Sequence, residues 1–117
     1  MDNNLDHFFA AMADPTRRAV IARLTQGAAP VSDLAAPHDM ALPSFLKHLK
    51  KLETAGLVRT IKTGRVRMVA LEPAKLAEAE HWLSRQRRIW EDRLERLDAL
   101  ALTLEADDGT TERRPDP

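Results

Sequence analysis

Ser44, Lys47, His48 and Lys51 recur at i, i+3, i+4 and i+7, the spacing of one face of an α-helix. Each of these side chains can donate a hydrogen bond, and no carboxylate shares the stripe. Such a face suits an anionic partner rich in acceptors. The major groove of duplex DNA admits one helix and offers guanine N7 and O6 to a cation. On this reading Lys47 and His48 address base edges, Lys50 and Lys51 address phosphates, and Ser44 bonds either. A plain amphipathic helix with a lysine-rich solvent face would carry the same stripe, so a second feature must decide.

That feature follows the helix. Leu57 to Ile61 and Val66 to Leu71 are β-branched or basic, and Thr63-Gly64 between them reads as a two-residue hairpin turn. This turn opposes Lys62 with Arg65, Ile61 with Val66, and Thr60 with Arg67. Because side chains alternate across a strand, Lys62, Arg65 and Arg67 then share a face with Thr60. Directly opposed cations destabilise a hairpin unless an anion lies between them, and a phosphate backbone is such an anion. Residues 44–71 hold seven basic side chains against Glu53 alone, net +6, in a chain whose 18 basic and 18 acidic residues sum to zero. The excess is local, which points to one anionic partner rather than a generally adhesive surface.

Helices must position these groups. Asp14-Pro15 opens one, with Asp14 as its cap and Arg17, Val20, Ile21 and Leu24 on one side up to Gly27. Leu5, Phe8, Phe9 and Met12 give helical spacing before it. Val31-Ser32-Asp33-Leu34-Ala35 is a short helix that Ser32 is expected to cap, and Ser32 is counted with the DNA-binding set. Pro43 opens the next helix, with Phe45, Leu49 and Leu52, joined by Leu46, on its packing side and Gly56 at its end. From Pro73 a long helix runs to about Leu104. Leu76, Leu83, Trp90, Leu97 and Leu104 recur every seven residues, with Leu94 and Ala101 between them. Over 31 residues from Ala74 that helix is roughly 46 Å long, more than a small domain covers. The expected partner is a second copy of the chain. Trp82 and Ile89 widen the apolar surface toward the first helix, so Leu5, Phe8, Phe9, Trp82, Leu83, Trp90, Leu94, Leu97 and Leu104 are the expected dimer interface.

Much chemistry is excluded. With no cysteine there is no disulfide, thiolate metal site or thiol nucleophile. The four histidines do not cluster; Glu78 and His81, at i and i+3, are the only metal-competent pair of note. No phosphate loop, nucleophile elbow or zinc-protease motif is present, so neither an enzyme nor a cofactor is expected. No apolar run approaches the ~18 residues of a membrane span. The first residues lack the basic stretch of a secretory signal. The expected address is the cytoplasm.

The series Ala13-Asp14-Pro15-Thr16-Arg17-Arg18, Val31-Ser32-Asp33-Leu34-Ala35, Leu42-Pro43-Ser44-Phe45-Leu46-Lys47-His48-Leu49-Lys50-Lys51-Leu52-Glu53-Thr54-Ala55-Gly56-Leu57-Val58 and Lys62-Thr63-Gly64-Arg65 resembles the winged-helix domain of the ArsR/SmtB-type bacterial transcriptional repressors. The run from Trp82 through Arg85-Gln86 and Trp90 to Arg93-Leu94 and Leu97 is similar to one cysteine-free branch of that family. The resemblance implies a homodimeric repressor that binds inverted-repeat operator DNA with the 43–55 helix and the 59–67 wing. Two departures stand out. The cysteine box of the metal-sensing members is absent, and Leu46 replaces a small polar residue that contacts DNA in many members.

The expected fold is mainly α with a small β-hairpin: a winged helix-turn-helix plus a long C-terminal dimerisation helix. The expected organisation is a DNA-binding domain at 1–72, a dimerisation helix at 73–104 and a disordered tail at 105–117. The alternatives are a winged-helix protein-interaction or dimerisation module, and a metal- or ligand-gated sensor on the same scaffold. The first alternative would turn the basic face to an acidic protein; the expected partners remain double-stranded DNA and a second copy of the chain, with no membrane.

Overall fold

A computed structural model describes the backbone of residues 3–111 and the side chains of residues 5–107. The element order is α1 (Asn3–Met12), α2 (Pro15–Leu24), β1 (Ala29–Pro30), α3 (Val31–Ala35), α4 (Leu42–Thr54), β2 (Val58–Thr63), β3 (Val66–Leu71) and α5 (Pro73–Thr111). This is a winged helix-turn-helix, followed by a long helix. Four helices, a hairpin and a long last helix come in the order the sequence predicts, and β1 is added.

Proline and its cap set the start of α2. The Asp14 carboxylate accepts the Arg17 backbone N–H at 3.0 Å, while Pro15, with no N–H to satisfy, takes the first turn. Val20, Ile21 and Leu24 then bury one side of the helix. The expected cap of α3 is not formed. The chain enters that helix through Pro30 and no side chain caps it, so Ser32 is its second residue and is exposed. The pairing of β1 with β3 explains this, because it holds Pro30 extended directly before Val31.

Phe45, Leu49 and Leu52 bury one side of α4. Its end is a Schellman cap: the Gly56 N–H bonds the Glu53 carbonyl at 2.9 Å and the Leu57 N–H bonds the Leu52 carbonyl at 3.0 Å. Gly56 takes φ 76°, the left-handed conformation this cap requires. Leu52 and Leu57 are both fully buried, which supplies the apolar contact of the motif.

The sheet order is β1-β3-β2, all antiparallel. The hairpin register corrects the sequence expectation. The turn is Gly64-Arg65, so Thr63 opposes Val66, Lys62 opposes Arg67, Ile61 opposes Met68 and Thr60 opposes Val69. Gly64 sits at φ 63°. A Thr63-Gly64 turn would ask a β-branched residue to adopt a positive φ, which glycine does without strain.

The core gathers Phe8, Ala11, Val20, Leu34, Phe45, Leu52, Leu57 and Val69 with further apolar neighbours. Phe8, expected in the dimer interface, is taken up by its own chain's core; Leu5 is half-buried against the same cluster. The compact unit containing the sheet runs to Glu80, and Leu76 and Ala79 in the first turns of α5 pack into its core. The second unit begins at His81 and is helical through Thr111. The helix thus continues past Leu104 through Glu105 and Ala106, both good helix formers. The expected tail beyond residue 111 lies outside the described residues.

Candidate nucleic-acid interface

The exposed residues of α4 and the tip of the β2–β3 hairpin carry the charge. Ser44, Lys47, Lys50 and Lys51 are exposed along α4; Lys62, Arg65 and Arg67 are exposed on the hairpin. Lys62 and Arg67 are directly opposed, so the like-charge juxtaposition survives the change of register with a different partner. Arg65 occupies the turn itself.

Two acidic groups near this surface are already engaged. Arg59 donates to the Glu72 carboxylate at 2.7 Å, and Thr60 donates from its hydroxyl to Glu53 at 3.2 Å. The second contact ties the hairpin to α4. Lys47, Lys50, Lys51, Lys62, Arg65 and Arg67 have no carboxylate partner among the described residues. Leu46, expected on the packing side, is exposed and lines a cleft between α4 and the hairpin with Lys50, Thr60 and Arg67.

His48 departs from the uniform solvent stripe. Its side chain is 21% exposed and turns toward the start of α2. Nδ1 lies 3.1 Å from an Arg17 guanidinium nitrogen and 3.6 Å from the Asp14 carboxylate. Arg17 is itself buried. Its Nε–H donates to the Ala11 carbonyl at 2.6 Å, and its other terminal nitrogen donates to the Ala10 carbonyl at 3.2 Å. One guanidinium therefore joins the end of α1, the start of α2 and the middle of α4. Burial pushes the Asp14 carboxyl up, but the Arg17 N–H, the neighbouring His48 ring, the Arg17 charge and the Thr16 N–H outweigh it, holding Asp14 below its ordinary 3.8. This cluster was not assigned from the sequence. The signal was a cation on the otherwise apolar stripe of Arg17, Val20, Ile21 and Leu24.

On the second unit, the seven-residue series stands open. Leu83, Trp90, Leu97 and Leu104 are 50%, 60%, 60% and 56% exposed, with Leu94 at 42%. Trp82 is half-buried and Phe9 on α1 is exposed. No grouping of three or more metal-binding side chains occurs among the described residues. Among them too, no helix is long and apolar enough to cross a membrane.

Residues 12–61 match a helix-turn-helix domain family. A Mycobacterium tuberculosis HTH-type transcriptional regulator, Rv2034, is 40% identical over 72 residues, covering 62% of this chain and 67% of that protein. The Bacillus subtilis transcriptional repressor SdpR is 27% identical over 79 residues, covering 68% of this chain and 88% of its own. Among solved structures, an ArsR family transcriptional regulator, RHA00566, is 53% identical with a TM-score of 0.72, covering 75% of this chain and 97% of that one.

Proposed function

Because the chain belongs to the ArsR family of winged helix-turn-helix transcriptional regulators, we propose that it is a homodimeric, cytoplasmic repressor of an inverted-repeat operator. In this reading α4 enters the major groove and the β2–β3 hairpin lies on the flanking backbone. Binding across a promoter then blocks transcription sterically, a role in keeping with the repressor SdpR among its relatives.

The observation that carries the proposal is the set of six cations on α4 and the hairpin without a carboxylate partner among the described residues. A protein that kept these charges only for solubility would intersperse acids among them. A duplex phosphate backbone supplies the missing counter-charge and makes affinity depend on salt. Lys47, exposed in the first half of α4, is placed to read a base edge, and Ser44 one turn earlier to hold a phosphate or base. The dimer is inferred from the heptad stripe Leu83, Trp90, Leu97 and Leu104, whose exposure is that of a helix awaiting a partner. Two-fold symmetry would set the two α4 helices about one DNA turn, ~34 Å, apart.

Selection of bound sites from random duplex DNA tests the proposal. A palindromic consensus is expected. Lys47→Ala should then cost about 1–3 kcal/mol on the consensus and relax the base preference at one position in each half-site. Recovery of no enriched sequence would remove the proposal, and loss of affinity equally on consensus and random DNA would demote Lys47 to a phosphate contact.

A further inference from the structure

We infer that Arg17 fixes the tautomer of His48, so that α4 presents a ring N–H donor and selects a hydrogen-bond acceptor on the base beneath it. The inference deepens the proposed function and rests on it for the identity of the base. The clamp itself belongs to the free protein.

The guanidinium of arginine can only donate, and it stays charged at any pH the fold survives. An Arg17 nitrogen stands 3.1 Å from His48 Nδ1, so Nδ1 must accept and the ring proton must reside on Nε2. The competing arrangement has Nδ1–H donating to Asp14. That separation is 3.6 Å, beyond hydrogen-bond range, whereas 3.1 Å lies within it. Arg17 cannot easily turn away, because the Ala11 and Ala10 carbonyls hold its Nε and second terminal nitrogen at 2.6 Å and 3.2 Å. The clamp is thus a buried guanidinium that can only donate.

Nε2 is the other end of the ring and forms no hydrogen bond within the described residues. A fixed Nε2–H at that position accepts nothing. It discriminates for guanine N7 or O6, adenine N7 or thymine O4, and against the amino group of cytosine. A freely exchanging histidine could present either donor or acceptor and would discriminate less. Arg17 is therefore a positioning residue for sequence reading, although it is buried beneath the recognition face.

The test is a long-range proton–nitrogen spectrum of the full-length, nitrogen-15-labelled protein without DNA, at about pH 8, above the ordinary histidine range. The His48 signals are identified by their loss in His48→Gln. The expected pattern is a bare Nδ1 and a protonated Nε2. In Arg17→Met, which keeps a long chain and removes every donor, the two nitrogens should move toward averaged shifts. The base preference beneath His48 should also fall about five- to tenfold, the scale of one hydrogen bond. Since Arg17→Met could unfold the domain, Asp14→Asn serves as a second variant. Asparagine still caps α2, and the Nε2–H form should persist there. A Nδ1–H ring in the wild-type protein, or its conversion in Asp14→Asn, overturns the inference even if operator binding is normal. A firmly held Nε2–H ring in a protein that selects no operator would instead overturn the proposed function, and with it the base-reading role.

Discussion

Replacing Arg67 with alanine should move stability and DNA affinity in opposite directions. Arg67 faces Lys62 directly across the hairpin, and neither has a carboxylate partner among the described residues. Like charges so placed cost about 0.2–1 kcal/mol. Arg67→Ala relieves that cost, and a domain of this size should melt about 1–5 °C higher. The same substitution removes one cation per protomer, hence two per dimer, from the surface assigned to phosphate. Each neutralised phosphate contributes about 0.9 to the slope of log affinity against log salt, so the slope should become shallower by about 1.8. Between about 50 and about 200 mM salt, the wild-type protein should lose roughly tenfold more affinity than the variant. Fluorescence anisotropy on a labelled operator across that range, with thermal denaturation of both proteins, measures the two effects. A lower melting temperature would refute the opposed-cation cost, and an unchanged salt slope would refute the phosphate contact.

Leu97 is 60% exposed on the heptad stripe, so Leu97→Glu should yield monomers in sedimentation and weaken operator binding; an unchanged dimer mass would contradict the assigned interface. Asp14 titrates below its ordinary 3.8 in the folded chain. Its contribution to stability is therefore complete above that value and is lost as pH falls through the lower folded value. Asp14→Ala should cost about 1 kcal/mol at neutral pH by loss of the cap and should flatten the acid limb of the stability curve; an acid limb identical to wild type would remove Asp14 as its source. At Gly56, a Cβ would stand 3.2 Å from two carbons of the Lys75 side chain, on a backbone at φ 76°. Gly56→Ala should cost about 1–2 kcal/mol, chiefly through the backbone because the lysine can move, and a denaturant midpoint equal to wild type would contradict this.

The helices were legible because proline, caps and apolar spacing agree along the chain. Asp14-Pro15 and Gly56 mark real boundaries, and Phe45, Leu49 and Leu52 bury as their spacing requires. The hairpin register was not legible from alternation alone. Pairing Lys62 with Arg65 or with Arg67 leaves every strand residue on the same face, since the two registers differ by two positions. Only the turn distinguishes them, and it rests on which of two adjacent residues accepts a positive φ. Strand β1 escaped notice because two residues, Ala29 and Pro30, show no period. His48 was placed with the solvent stripe by its spacing on α4, which carries no trace of α2 crossing beneath it. Phe8 and Phe9 are adjacent, yet one is buried and the other exposed; helical spacing alone gave both to the interface. The cationic surface was readable as a set because charge needs no register to be counted, but the pairing of Arg59 with Glu72 depends on the strands being aligned.

Strand β1 reaches only Val69 and Met68 of β3. Outward from there, residues 61–67 are held laterally by the hairpin's own two strands. The finger can therefore be extended or trimmed without touching its root, provided residues are added or removed as opposed pairs. With the hairpin on DNA as proposed, length changes of that kind would alter its reach along a duplex from one unchanged base. A single-residue insertion in either strand would have to be absorbed as a β-bulge, or it would exchange that strand's inner and outer faces beyond the insertion.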